Sequence, residues 1–191
     1  MASRRTLLIA GFASLLPLQS QAVGFQPSER DFLGPFYVAG ADSDPILNRA
    51  GKPGVPVTLT GRIRSAGSGQ AISAALVEIW QADGEGRYHP SGSGKASDYP
   101  AGTLALRGRL FTDTAGTFGV TTVVPGLYRP RPRHWHLKLS AAGHRTLVTQ
   151  LYITGDNSRG RQPGAPDRHA PLVQRADGLD YSAPDIFLAP A

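Results

Sequence analysis

The chain has 191 residues, of which 40% are hydrophobic and 18% charged, which is enough for one globular domain with its own core. Its 23 glycines and 16 prolines favour turns and short strands over long helices. The formal net charge of +6 is scattered along the chain rather than clustered with aromatic residues. This distribution argues against a nucleic-acid partner and is compatible with an anionic small-molecule substrate.

The N-terminus has the pattern of a secretory signal peptide. A basic start is followed by an apolar run over residues 7–18 and by the small-x-small cleavage signal SQA. Arg4 and Arg5, in SRRTLL, further resemble the twin-arginine type of signal, which exports folded proteins. An ordinary secretory signal with two adjacent arginines is the alternative. We therefore predict a signal peptide over residues 1–22, a single domain over residues 23–191, and a periplasmic location.

The mature chain reads as a succession of short strands. Residues 23–54 are rich in Gly, Pro and Asp and are predicted as loop. Apolar and polar residues then alternate in seven segments, which we predict as strands: 55–64, 74–81, 104–112, 117–123, 134–140, 145–153 and 185–188. No stretch has a long helical period. The pattern predicts an all-β fold, an antiparallel β-sandwich, in which residues 89–102 and 157–183 are long active-site loops.

Two histidines flank a tryptophan in the segment RHWHLKL. Side chains at i and i+2 of a strand point to the same face, so His134 and His136 project together while Trp135 points to the other face and is expected to pack. Two histidines on one face of a strand are more often surface or hydrogen-bonded residues than metal ligands. The pair alone therefore leaves its role open.

The residues that could complete a metal site are limited by composition. The chain has no cysteine, and no carboxylate stands at H-x-D or H-x-E spacing near the histidines. Tyr128, six residues before His134, and Tyr88, after the turn DGEGR, are the other candidates. A phenol with a pKa of about 10 needs a strongly Lewis-acidic ion to ionise at neutral pH, which favours Fe(III) over Zn, Mg or Ca. Both tyrosines could also be core aromatics with satisfied hydroxyls.

Five segments in order carry a family resemblance: LGPFY, EIWQADGEGRY, RGRLFTDTAGTFGVTTVVPGLY, RPRHWH and TQLYITGD. Together they resemble the intradiol ring-cleavage dioxygenases, the family of the protocatechuate and catechol dioxygenases. The resemblance implies a mononuclear, non-haem Fe(III) held by Tyr88, Tyr128, His134 and His136. It also implies that Tyr128 is the ligand displaced by substrate, whose proton it can accept.

The same resemblance implies roles for five further residues. Arg131 matches an arginine that stabilises negative charge building on the substrate ring. Gln150 matches a glutamine beside that arginine. Leu33, Gly34 and Pro35 match the segment that lines the substrate pocket. The implied reaction takes a catechol-type small molecule and O2, and cleaves the ring between the two hydroxyl-bearing carbons to give a muconate-type dicarboxylic acid.

Two other functions remain open on the residues themselves. A non-enzymatic sandwich module of the transthyretin-like or adhesin sort would show the same strand pattern and bind no iron. A periplasmic copper- or zinc-binding protein would use His134 and His136. The metal content of the purified protein distinguishes all three functions.

Overall fold

The computed structural model describes residues 24–156 and 168–191. The predicted signal peptide, residues 1–22, lies outside them. The twelve strands in chain order are β1 Val38–Ala39, β2 Pro56–Ser65, β3 Leu76–Trp80, β4 Gly94–Lys95, β5 Arg107–Phe111, β6 Thr117–Val123, β7 His134–Ser140, β8 Leu147–Ile153, β9 His169–Ala170, β10 Leu172–Arg175, β11 Gly178–Ser182 and β12 Ile186–Leu188. Between residues 24 and 156, helical structure is limited to a 3-10 turn at Ala96–Asp98, and no described helix could cross a membrane.

The first of two five-stranded sheets is organised around β2, which has ten residues. β6 pairs with β2 in antiparallel register from Pro56 opposite Val123 to Arg62 opposite Thr117. β11 and β12 pair with successive parts of β2 in parallel, and β10 pairs with β11. The sequence did not indicate these parallel pairs, because alternation within a strand does not specify the direction of its partner.

The second sheet has the strand order β5-β3-β7-β8-β9 and places β7 in its centre. The pairs β3–β5, β3–β7 and β7–β8 are antiparallel. In this register His136 lies between Trp80 of β3 and Gln150 of β8, and His134 lies opposite Tyr152. Directly opposed residues share a face of the sheet, so these five side chains form one patch.

The hydrophobic core lies between the two sheets. Trp135, Leu137 and Leu139 of β7 have no exposed surface and belong to the same buried cluster as Leu59 of β2. The ring of Trp135 packs 4.6 Å from that of Tyr181. The predicted packing role of Trp135 is therefore confirmed.

The opposite face of the second sheet is covered by residues 31–37, which we call the covering segment. The Tyr37 hydroxyl donates to Glu78 Oε1 at 2.6 Å, and Lys138 Nζ donates to the same hydroxyl at 2.7 Å. Lys138 and Glu78 also form an ion pair of 2.9 Å. This three-residue cluster attaches the C-terminal end of the covering segment to β3 and β7.

The predicted all-β sandwich is confirmed, and each of the seven predicted strands has a counterpart among the strands observed. The prediction of a loop over residues 157–183 was wrong where the structure describes it, since β9, β10 and β11 occupy much of residues 169–182. Three of the four residues of β10 are exposed. A solvated strand buries no apolar face and therefore shows no alternation. Residues 89–102 are irregular apart from β4 and the short 3-10 turn.

The position of Trp135 predicts a large effect on stability. Trp135→Ala should lower the free energy of unfolding by about 3–5 kcal/mol, because it removes a large side chain from a core that can only partly collapse. Phe111→Ala is the control, since Phe111 lies on an edge strand and is 63% exposed; it should cost less than about 1 kcal/mol. Urea unfolding of both variants measures the difference, and equal losses would contradict the assignment of Trp135 to the core.

Candidate metal centre

Three potential ligand atoms meet on the covered face of β7. The two Nε2 atoms of His134 and His136 are 3.0 Å apart. The Tyr88 hydroxyl oxygen lies 3.3 Å from His134 Nε2 and 3.1 Å from His136 Nε2. The three atoms therefore form a nearly equilateral triangle built from two adjacent residues of one strand face and one residue 46 positions earlier in the chain.

The tautomer of His134 leaves its converging nitrogen basic. His134 Nδ1 lies 2.6 Å from the carbonyl oxygen of Pro132, which can only accept, so Nδ1 carries the proton and Nε2 the lone pair. His136 stacks on Trp80 with ring centroids 4.8 Å apart, and its Nδ1 is buried without a hydrogen-bond partner among the described residues. Both rings are thus held rigidly, with Nε2 facing Tyr88.

Burial keeps this group of donors uncharged in the absence of a cation. Tyr88, His134 and His136 are each at most 5% exposed. Burial lowers the pKa of His134 to about 4 and that of His136 well below its usual value, so both imidazoles are neutral at pH 7. Burial likewise raises the pKa of Tyr88. A phenolate at this position therefore requires a compensating positive charge.

The turn that precedes Tyr88 is organised by Asp83, which is fully buried. Its Oδ1 accepts from the backbone N–H groups of Glu85 and Arg87, both at 2.9 Å, as in an Asx turn. Its Oδ2 lies 2.7 Å from His89 Nε2, on the other side of Tyr88. The carboxylate thus joins the residues before and after Tyr88. This contact leaves the His89 side chain only 21% exposed.

Two glycines bring the loop of Tyr128 against this turn. A Cβ atom on Gly86 would lie 2.4 Å from the carbonyl oxygen of Leu127, and one on Gly126 would lie 2.4 Å from Gly84 O. Neither position has room for a side chain. The close approach puts the half-buried Tyr128 ring edge-on to Tyr88, with centroids 5.6 Å apart. Tyr128 therefore borders the three converging donor atoms.

Arg131 is held beside the histidines by side chains of β8. Its Nη2 donates to Gln150 Oε1 at 2.6 Å and to the Tyr152 hydroxyl at 2.7 Å. The Tyr152 hydroxyl in turn lies 2.8 Å from Asp31 Oδ2, and the same carboxylate oxygen accepts a hydrogen bond from Arg168 Nη1 at 2.7 Å. Arg131 Nε is buried and has no partner in the described part of the chain. Gln150 and Tyr152 therefore fix the orientation of this cation.

The covering segment forms the wall facing the histidines. A Cβ on Gly34 would lie 3.1 Å from His136 Cε1, and the backbone of Gly34 has a left-handed φ of +76°, so both space and conformation favour glycine. Leu33 is 37% exposed, Pro35 is exposed, and Phe36 stacks on Tyr88 with ring centroids 4.2 Å apart.

The structure brings together the residues predicted from the sequence. Tyr88, His134 and His136 converge, Tyr128 adjoins them, and Gln150 contacts Arg131 as the resemblance implied. Sequence reasoning missed several residues of the surrounding network, among them Asp31, Phe36 and Tyr152. Tyr152 was detectable, because it stands two residues after Gln150 on the same face of a predicted strand. The others contact the site across long separations in sequence.

The donor set fits a first-row transition ion. Nitrogen ligands lie about 2.0–2.1 Å from such ions, and neighbouring ligands at that distance are about 3 Å apart, close to the spacing of the three atoms here. Among the described residues no group of three or more His, Cys, Asp or Glu could hold a metal. The Tyr88 phenol oxygen lies within 3.3 Å of both histidine nitrogens, and a phenolate ligand favours a strongly Lewis-acidic ion.

Comparisons with known proteins agree with this site. The profile of a family described as dioxygenase matches residues 32–165. The chain is 32% identical to catechol 1,2-dioxygenase 2 of Acinetobacter lwoffii over 66% of its own length and 51% of that protein. It is 35% identical to the protocatechuate 3,4-dioxygenase beta chain of Burkholderia cepacia over 66% of its own length and 60% of that chain. The match thus spans 51–60% of the length of these two relatives.

A solved structure matches at the level of the whole domain. It is the dioxygenase domain of a dioxygenase carbohydrate-binding protein fusion from Streptomyces sp. SirexAA-E, with a TM-score of 0.69 and 29% identity. The match covers 87% of the present chain and 100% of that domain.

The network behind Arg131 predicts a pH-dependent loss of stability in Asp31→Asn. Burial raises the pKa of Asp31, but hydrogen bonds from Arg168, the Phe32 backbone and Tyr152 outweigh it and hold the pKa below the usual value. The carboxylate therefore stabilises the fold above its unfolded pKa, and this contribution is lost as pH falls through the lower folded value. The free energy of unfolding of the variant should be lower by about 1–3 kcal/mol at neutral pH, and the difference should shrink as the pH falls below about 4.

Asp180→Asn is the control, because Asp180 pairs with Arg175 at the surface with side chains 37% and 59% exposed. It should cost less than about 1 kcal/mol at neutral pH. Urea unfolding of both variants across this pH range measures the effect. A loss in Asp31→Asn that does not change with pH would contradict the charged role of Asp31.

Proposed function

The chain belongs to the intradiol ring-cleavage dioxygenase family, and from this premise we propose that it is a non-haem Fe(III) enzyme. It would cleave a catechol-type ring between its two hydroxyl-bearing carbons with O2 and release a muconate-type dicarboxylic acid. The observation that carries this proposal is the convergence of Tyr88, His134 and His136 within 3.3 Å of one another, with Tyr128 alongside.

The four protein ligands of the iron would be Tyr88, Tyr128, His134 and His136. The bound ferric ion would supply Lewis acidity, which ionises the phenols and withdraws electron density from a bound catecholate. The two imidazoles are suited to this role because they are neutral and oriented before the metal binds. Phe36 and Trp80 exclude water from one side of the site by stacking on Tyr88 and His136.

Tyr128 is the residue best suited to move a proton. It is half-buried, whereas Tyr88 is 5% exposed, and it follows directly on the loop that Gly126 fixes. We infer that its phenolate oxygen accepts a proton from a catechol hydroxyl as substrate enters and that the ring then turns away from the site. Tyr88, stacked under Phe36, stays in place.

Arg131 would stabilise the negative charge that develops on the substrate ring. Its guanidinium is oriented by Gln150 and Tyr152 on one side and lies 4.5 Å from the centre of the Phe32 ring. A cation fixed in advance stabilises developing charge without reorganising during the reaction. Leu33, Gly34 and Pro35 would contact the apolar face of the ring.

Iron binding and colour test the ligand set. The purified protein, loaded with iron, should bind one ion per chain and absorb visible light through tyrosinate-to-Fe(III) charge transfer. Tyr88→Phe and Tyr128→Phe should each weaken this absorption and lower O2 uptake with catechols at least about 100-fold, since even residues outside the ligand shell are worth 10–100-fold. Phe111→Ala is the control and should match wild type, because Phe111 lies on an edge strand and is 63% exposed.

The substrate panel should include catechol, protocatechuate, hydroxyquinol and chlorinated catechols, with the product identified as a ring-opened diacid. An iron-loaded protein without the charge-transfer band would contradict the ligand set. Selective binding of copper or zinc without O2 uptake would favour a metal-binding protein. A chain that binds none of these metals would favour a non-enzymatic sandwich module.

We also propose that the protein is exported to the periplasm by a twin-arginine signal within residues 1–22, after folding and iron loading in the cytoplasm. A fusion of this segment to a reporter should reach the periplasm, and replacing Arg4 and Arg5 by Lys should reduce export at least about tenfold. Fractionation of cells expressing both fusions measures the effect. Equal export of the two fusions would exclude the twin-arginine route.

A further inference from the structure

Arg107, the first residue of β5, is a buried cation that binds only backbone carbonyl groups. It is 7% exposed. Its Nε donates to His89 O at 3.0 Å, its Nη1 to Phe36 O at 2.9 Å, and its Nη2 to Pro90 O at 3.4 Å. The guanidinium thus spans two segments that are more than 50 residues apart in sequence.

No carboxylate in the described part of the chain forms an ion pair with Arg107. The ion pairs found there use Arg49, Arg64, Arg87, Arg131, Arg133, Arg168 and Arg175, together with Lys138 and His89. Burying a cation without an anion destabilises a fold, and carbonyl dipoles offset this only in part. A buried cation without an anionic partner, next to a candidate metal centre, indicates a functional role.

The carbonyl groups that Arg107 binds belong to the two segments that enclose Tyr88. Phe36 is part of the covering segment, and its ring stacks on Tyr88 with an interplanar angle of 18°. His89 and Pro90 follow Tyr88 directly. One guanidinium therefore connects the covering segment, whose Phe36 stacks on Tyr88, to the backbone that follows Tyr88. Lysine cannot reproduce its planar fork.

The charge of Arg107 also acts on Tyr88. Burial raises the pKa of Tyr88, and the positive charge of Arg107 opposes this rise. Burial lowers the pKa of Arg107 to about 10, and the Tyr99 and Tyr88 phenols oppose that change. The guanidinium remains protonated at neutral pH.

We propose that Arg107 is a positioning residue for the metal centre. It clamps the covering segment to the residues after Tyr88, which fixes the Tyr88 oxygen towards His134 and His136. Arg107 itself contacts neither His134 nor His136. The inference rests on the proposed function, since it gives Tyr88 the role of a metal ligand.

Arg107→Lys and Arg107→Met test the clamp, with Arg109→Met as matched control. Arg109 lies two residues further along the same strand and is exposed. Both Arg107 variants should shift the charge-transfer band of the iron-loaded protein and lose iron to a chelator about tenfold faster than wild type. The change in Arg107→Met should be at least as large as in Arg107→Lys, because lysine keeps the charge but not the fork. Arg109→Met should match wild type.

The outcomes separate this inference from the proposed function. A wild-type protein that binds iron without a charge-transfer band would overturn the proposed function. A coloured wild type with both Arg107 variants unchanged would overturn the positioning role alone. If Arg107→Lys matches wild type and only Arg107→Met changes, the charge suffices and the clamp is wrong. If Arg107→Met does not fold, Arg107→Lys decides the clamp by the same two measurements.

Discussion

The architecture of the site depends on β7, a central strand with both faces buried. Strict alternation sends Trp135, Leu137 and Leu139 into the core and His134 and His136 to the other face. Neither set can move without the other, since a shift of one residue would exchange core and site. The packing of the hydrophobic core therefore also fixes the positions of the two imidazole rings.

The remaining parts of the site are brought to this strand by contacts of turns and loops rather than by strand pairing. Asp83 closes the turn before Tyr88, and Gly86 and Gly126 allow the two tyrosine loops to touch. The covering segment then closes the face from above. The turn before Tyr88 is an Asx turn made by Asp83, and the contacts at Gly86 and Gly126 depend on the absence of a Cβ atom.

Much of the fold and of the inner site could be predicted from sequence, because both follow from local patterns. Alternation located the main strands, and i, i+2 spacing placed the two histidines on one face. Strand β10 was missed because three of its four residues are exposed, and a solvated strand has no apolar face. Asp31 and Arg107 were missed for another reason: their partners, Arg168 and Phe36, are 137 and 71 positions away, and no local pattern encodes such contacts.

The crystal structure of the iron-loaded protein, with anomalous scattering measured at the iron edge, tests the central claim most directly. The account predicts one anomalous peak within bonding distance of Tyr88 Oη, His134 Nε2 and His136 Nε2, with Tyr128 Oη completing the protein ligands. A peak elsewhere in the molecule, or a peak at the histidines with both phenols out of bonding distance, would contradict it.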